Sequence, residues 1–102
     1  MRACGLVSVS FRDHTPEEIA AAAHACGLSC IEWGSDVHAP AADAARLAAV
    51  AAISAENHIR ISSYGSYFKI GRDAPSDFPP YIRAAKALGT RIIRLWCGTK
   101  GY

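Results

Sequence analysis

Residues 27–34 read Gly-Leu-Ser-Cys-Ile-Glu-Trp-Gly, and this strand-and-glycine unit recurs at residues 57–65 (Asn-His-Ile-Arg-Ile-Ser-Ser-Tyr-Gly) and 89–98 (Gly-Thr-Arg-Ile-Ile-Arg-Leu-Trp-Cys-Gly). Each copy opens with Gly or Asn, which end helices in the left-handed conformation, and continues as a short strand rich in β-branched residues. The closing glycines are 31 and 33 residues apart, about the length of one strand–helix–strand unit. Repetition at this period predicts an array of βα units.

The rest of the chain supplies the helices and the first strand of this array. Thr15-Pro16-Glu17-Glu18 is a strong helix start, since it combines an N-cap, a proline in the first turn and a capping box. The patterns predict strands over 5–10, 30–33, 59–63 and 91–96, helices over 16–26, 42–56 and 80–88, and an irregular segment over 64–80. We therefore expect a parallel βαβαβαβ chain of class α/β, either in a doubly wound sheet or in part of a (β/α)8 barrel.

Composition and charge exclude several functional classes. The chain has 102 residues, 11 basic against 9 acidic side chains and a formal net charge of +2, without a basic tract, so we expect no nucleic-acid partner. No apolar run approaches the roughly 18 residues that span a bilayer, and the start lacks the pattern of a signal peptide, so we expect no membrane association. The four cysteines, which lack the spacing of a zinc site, are interpreted as packing residues in a reducing compartment, which predicts a cytoplasmic protein.

Polar or aromatic residues occupy the ends of the predicted strands, where α/β proteins place their sites. They are Ser10, Glu32, Ser63, Tyr64, Arg94 and Trp96. Counted back from the closing glycines, Glu32 and Trp96 are two positions away and Arg94 is four, so all three have the parity of one sheet face. Glu32 and Arg94 are thus a candidate interior ion pair. The pair is either structural, one buried charge neutralising another, or functional, with Glu32 orienting a ligand hydroxyl or a metal-bound water.

Two further groups of residues lie near the same edge. His14 and His38 fall in loops on the site side, and we take His38 as a candidate for substrate contact; Asp36 lies two residues from it, which alone is a weak ligand signal. No second histidine or acidic cluster completes a metal sphere, so no metal ligand is assigned within the chain. Tyr64, Tyr67, Phe68 and Tyr81 form either a local hydrophobic cluster or an aromatic wall of a sugar or polyol pocket.

The chain resembles the sugar phosphate isomerase/epimerase family, the xylose-isomerase-like barrels. The resemblance is carried by residues 5–11, 15–19, 25–34 and 87–96, most specifically by Gly-x-x-x-Ile-Glu-Trp-Gly and Ala-Leu-Gly-x-x-x-Ile-Arg-Leu-Trp. It implies a (β/α)8 barrel that uses a divalent metal, manganese, magnesium, cobalt or zinc, to move a proton next to a carbonyl of a small sugar, sugar phosphate or polyol. By the same resemblance, Glu32 is the second-strand glutamate that faces the site, and residues 63–65 line the substrate pocket.

The family's metal ligands come from strands five to eight, for which this sequence has no counterpart. We therefore expect residues 1–102 to form one truncated domain, the N-terminal half of a (β/α)8 TIM barrel with four strands and three helices, inactive on its own. A rival hypothesis is a non-catalytic half barrel that binds a second copy or another chain and so forms a homo-oligomer. A base-excision endonuclease of the same superfamily is disfavoured by the low charge and by the presence of only two loop histidines.

Overall fold

The computed structural model describes residues 4–71 and 73–96, which form one parallel sheet covered by helices. The strands are β1 Gly5–Val7, β2 Cys30–Gly34, β3 Arg60–Lys69 and β4 Ile93–Trp96, and the helices are α1 Pro16–Ala25, α2 Ala44–Glu56 and α3 Pro79–Leu88. Short 3-10 turns occupy Ser8–Phe11 and Pro75–Asp77. The strands are hydrogen-bonded in the sequential order β1-β2-β3-β4, and every pair is parallel. A sequential order without reversal is that of a barrel rather than of a doubly wound sheet.

The helix boundaries follow the predicted capping signals with one exception. The capping box at the start of α1 is present, with Glu18 N donating to Thr15 Oγ1 at 3.1 Å and Thr15 N donating to Glu18 Oε1 at 2.8 Å. Gly27 and Gly89 adopt positive φ angles of 76° and 79°, which glycine tolerates without strain. In the second unit the left-handed residue is His58, at φ 58°, and not Asn57 as the repeat predicted. Asn57 instead donates its side-chain amide to Ile53 O.

Two strand predictions were wrong. β1 ends at Val7 because the chain turns into the 3-10 segment, where the Ser8 hydroxyl accepts a hydrogen bond from Gly34 N at 2.8 Å. β3 continues to Lys69 through a stretch predicted to be irregular. The extension is held by β4, because Ser66 Oγ donates to Arg94 O at 2.6 Å and Trp96 Nε1 donates to Ser66 O at 3.0 Å.

The hydrophobic core lies between the helices and one face of the sheet. Its strand members include Ile31, Trp33 and Tyr64, which pack against apolar residues of all three helices. The polar atom of the buried indole is satisfied, since Trp33 Nε1 donates to Ser54 Oγ at 3.0 Å. No helix in the described part of the chain is long and apolar enough to cross a membrane.

The opposite face of the sheet is not covered by any described element, and we call it the open face. It bears Val7, Glu32, Ser63, Gly65, Arg94 and Trp96. Cys4 and Cys26 are exposed, so the expectation that the cysteines pack inside is wrong for these two, whereas Cys30 is half-buried. Cys97 and Gly98 lie outside the described residues.

Candidate active site

Strand register places the polar residues of the open face side by side. Glu32 pairs with Ser63, and Gly65 pairs with Arg94. A β-bulge shifts the β2–β3 register between Ile31 and Glu32, so Ile31 pairs with Ile61 whereas Glu32 pairs with Ser63. The extra residue in β3 is why Ile61 and Tyr64, three positions apart, both pack against the core while Ser63 lies beside Glu32.

Glu32 and Arg94 form the ion pair that their spacing predicted. Arg94 Nε donates to Glu32 Oε1 at 3.0 Å, and the side chains are 10% and 39% exposed, so the carboxylate is the buried partner. Gly65 makes this contact possible, because a Cβ at that position would lie 2.9 Å from Arg94 Nη2 and 3.5 Å from the Glu32 carboxyl carbon. The glycine thus leaves room where the arginine crosses β3 to reach its partner, and an alanine there would require the end of the Arg94 side chain to move.

Trp96 extends this arrangement toward the carboxyl edge of the sheet. The Arg94 guanidinium carbon lies 5.7 Å from the centroid of the Trp96 ring, a cation–π distance, and the indole N–H is bonded to β3. These two contacts fix the orientation of the ring. Because the residue is 41% exposed, the ring still presents apolar surface to a ligand. The Tyr67 ring lies 5.7 Å from it on the same face.

A second cluster, which we call the Arg12 cluster, consists of Arg12, Asp36 and Tyr67. Arg12 Nε is paired with Asp36 Oδ2, Arg12 Nη2 donates to the Tyr67 hydroxyl at 2.6 Å, and that hydroxyl donates to Asp36 Oδ2 at 3.1 Å. Burial alone would raise the pKa of Asp36, but the hydrogen bonds from Arg12, Tyr67 and the Val37 backbone, together with the positive charge of Arg12, outweigh it and hold this pKa below its ordinary value. Sequence reasoning did not assemble this cluster, whose members come from three separate strand ends.

The structure does not bring His38 and Tyr64 to the open face, contrary to the expectation that they contact substrate there. His38 is fully buried on the helix side, where its Nε2 lies 2.7 Å from His14 O and its ring meets that of Trp33 edge-on. The Tyr64 hydroxyl donates to Ala39 O at 2.6 Å, and burial raises the pKa of this phenol. Both side chains are therefore core residues that support the β2–α2 connection.

The aromatic residues predicted as one group belong to two sides of the sheet. Tyr64, Phe68 and Tyr81 pack together on the helix side with Phe78, at ring distances of 5.0 to 6.5 Å. These residues form the local hydrophobic cluster. Tyr67 alone lies on the open face, beside Trp96.

A shallow recess of about 420 Å³, largely open to solvent, lies beside the carboxylate. It is lined by Gly5, Leu6, Val7, Glu32, Ser62 and Ser63. A carboxylate next to serine hydroxyls in a recess of this size suits a small ligand with several hydroxyl groups.

The described residues do not fit a metal centre by themselves. Across residues 4–71 and 73–96, no three His, Cys, Asp or Glu side chains lie close enough together to hold a metal ion. Glu32 and Asp36 are each bound to an arginine instead. A metal next to this face would need ligands from beyond these residues.

A comparison with solved structures shows the fold. The chain is similar to the crystal structure of the probable 3-DHS dehydratase AsbF, involved in petrobactin synthesis, from Bacillus anthracis, with a TM-score of 0.73 and 19% identity. The match covers 98% of this chain and 40% of that chain. The four parallel strands with alternating helices therefore match half of a TIM barrel, as predicted. No protein-family model and no curated protein matches this sequence.

Proposed function

We propose that this chain forms the substrate-facing half of a barrel enzyme that moves a proton next to a carbonyl in a small sugar, sugar phosphate or polyol. The observation that carries the proposal is the Glu32 carboxylate, held by Arg94 on the open face beside a recess that β1, β2 and β3 line. Glu32 lies two residues before the carboxyl end of β2, and active sites of parallel barrels lie at the carboxyl ends of the strands. The likeness to a probable dehydratase of the same fold supports an enzyme of this general kind.

The chemistry proposed for Glu32 follows from its hydrogen bonds. Its Oε1 accepts from Arg94, and among the described residues its Oε2 has no hydrogen-bond donor, so this oxygen is available to a ligand hydroxyl. A carboxylate at hydrogen-bond distance from a substrate hydroxyl orients it or takes its proton as a general base. Isomerisation, epimerisation and dehydration next to a carbonyl all need such a group, and the proposal covers these three outcomes.

A divalent metal, manganese, magnesium, cobalt or zinc, remains part of the proposal as a group that would polarise the carbonyl. Its ligands would lie outside the described residues, because these do not form a metal set. We therefore expect the 102-residue chain to bind a substrate weakly and to lack turnover. Proton exchange with solvent at the carbon next to the carbonyl, catalysed by this chain alone, would contradict that expectation.

The two tryptophans provide the binding test. In a chain labelled with ¹⁵N at tryptophan, xylose, ribose 5-phosphate and myo-inositol should shift the indole signal of Trp96 and leave that of Trp33 unchanged, because Trp33 is fully buried. Glu32→Gln should weaken this binding about tenfold, whereas the exposed Glu17→Gln on α1, with the same charge change, should not. Insensitivity of Trp96 to all three ligands, or equal effects of the two variants, would refute the proposal.

A second candidate function is a non-catalytic half barrel that associates with a second copy of itself. It is favoured by the two edge strands, β1 and β4, each of which pairs with a described strand on one side only. Apolar side chains at the β4 edge, Ile92 and Leu95, are exposed. Sedimentation equilibrium should then show a dimer that Leu95→Lys dissociates; a monomer at millimolar concentration would dismiss this candidate.

A further inference from the structure

The Arg12 cluster ties together three consecutive strand ends at the edge where a substrate would bind. Arg12 lies between β1 and α1, Asp36 between β2 and α2, and Tyr67 near the end of β3. The guanidinium contacts both other members, and these contact each other. The cluster therefore holds the arginine in one orientation rather than leaving it as a freely rotating surface side chain.

The hydrogen bonds of Arg12 occupy only one edge of its guanidinium. A guanidinium has five N–H groups, and the edge formed by Nε and Nη2 is used by Asp36 and Tyr67. The terminal edge formed by Nη1 and Nη2 has no further acceptor among the described residues, and the side chain is 54% exposed. This terminal edge is the fork that binds a carboxylate or a phosphate through two parallel hydrogen bonds.

The aromatic rings connect this fork to the Glu32–Arg94 pair. Tyr67, whose hydroxyl accepts from Arg12, has its ring 5.7 Å from that of Trp96, and Trp96 in turn lies beside the Arg94 guanidinium. Lys69 is the register partner of Trp96, which adds a positive charge near this edge. A ligand could lie along the rings, with its charged end at Arg12 and its hydroxyl groups directed toward the Glu32–Arg94 pair.

We propose that Arg12 binds the carboxylate or phosphate group of the substrate, so that the substrate is a small hydroxylated anion rather than a neutral sugar or polyol. This inference rests on the proposed function and specifies its ligand. It differs from the phosphate sites common in TIM barrels, which use the loops after strands seven and eight. Here the anion would be bound from the loop after the first strand.

The test compares matched anionic and neutral ligands by the shift of the Trp96 indole signal. The pairs are ribose 5-phosphate with ribose, and gluconate with glucitol. We expect at least one anion of the two pairs to bind about tenfold more tightly than its neutral partner, and Arg12→Gln to remove that preference without changing the neutral member's binding. Preference for ribose 5-phosphate alone would indicate a phosphate group, and preference for gluconate alone a carboxylate.

Two further variants separate a binding role from a structural one. Asp36→Asn removes the negative charge that competes for Arg12, so it should tighten anion binding even if it lowers stability. Arg60→Gln, at the opposite end of β3 and exposed, changes the net charge as Arg12→Gln does and should leave anion binding unchanged. A melting curve by circular dichroism verifies that each variant is folded.

The outcomes distinguish this inference from the proposed function. Equal binding of anionic and neutral ligands at Trp96, or equal losses from Arg12→Gln and Arg60→Gln, would overturn the anion site while leaving the proposed function intact. Equal losses of anionic and neutral ligand binding by Asp36→Asn would also overturn it, because the cluster would then be only a structural link. Failure of both ligand series to reach Trp96 would overturn the proposed function as well.

Discussion

The asymmetry of the Glu32–Arg94 pair predicts that its two members differ in their effect on stability. Arg94→Met leaves a carboxylate that is 10% exposed without its partner. Breaking a fully buried pair in this way costs about 3–5 kcal/mol, and an exposed pair contributes at most about 1 kcal/mol. Because Arg94 is 39% exposed, we expect a loss of about 2 kcal/mol. Glu32→Gln should cost less than about 1 kcal/mol, since the amide oxygen still accepts from Arg94 and the guanidinium stays hydrated.

Urea denaturation followed by far-ultraviolet circular dichroism measures this difference. In a chain of about 100 residues, a loss of 2 kcal/mol should lower Tm by about 8–16 °C. Arg83→Met on α3, exposed and without an ion-pair partner in the described part of the chain, is the matched control and should change stability by less than about 0.5 kcal/mol. The double variant, Glu32→Gln with Arg94→Met, should lose less stability than the sum of the two single losses, because no unpaired charge remains. A Glu32→Gln loss equal to or greater than that of Arg94→Met would refute this reasoning.

Three further outcomes follow from the contacts. In the folded chain the pKa of Asp36 lies below its ordinary value of 3.8. The ionised carboxylate therefore stabilises the fold above pH 3.8, and this stabilisation is lost as the pH falls through the folded pKa. Between pH 6 and about pH 2.5, the urea midpoint should fall more steeply for the native chain than for Asp36→Asn. Tyr64→Phe leaves the buried Ala39 carbonyl without its donor and should cost about 1–3 kcal/mol by the same denaturation assay, with unchanged ligand binding at Trp96. Gly65→Ala should displace the Arg94 side chain and weaken ligand binding about as much as Arg94→Met does, which titration of the Trp96 signal would measure.

The parts of the fold that the sequence predicted are those encoded locally. The capping box at Thr15 and the left-handed glycines 27 and 89 fix helix ends within a few residues, and their spacing fixes the alternation of strands and helices. The length of β3 was not predictable in this way. Residues 66–69 pair with β4 through Ser66 and Trp96, and a contact 30 residues away in the chain has no local signal.

The positions of the candidate site residues were predicted only where counting along a strand is valid. Glu32 and Arg94 lie on regular strands that end near glycines, so their shared parity placed them on the same face. The prediction for Tyr64 rested on its place at a strand end and on the family resemblance, not on parity. Counted back from Gly65 it is one position away, which is the parity of the helix side, where the structure places it. His38 lies in a loop, where parity does not apply, and the Arg12 cluster joins two loops to one strand. Such groupings appear only when the strand ends are brought together in space.

The two faces of β4 carry different side chains, so the enzymatic proposal and the assembly proposal can be tested at different residues. On β4, Ile93 pairs with Tyr64 and packs against the core, so Leu95, two residues further, has the parity of the helix side and is 37% exposed. The neighbouring Arg94 and Trp96 lie on the open face and bind polar partners there. The exposed apolar side chain of β4, Leu95, therefore lies on the helix side of the sheet, the side on which helices pack in a barrel. On the open face, in contrast, the side chains of β4 are bound by an ion pair and hydrogen bonds. A variant that alters assembly without altering ligand binding should therefore be found at Leu95, and the reverse at Glu32.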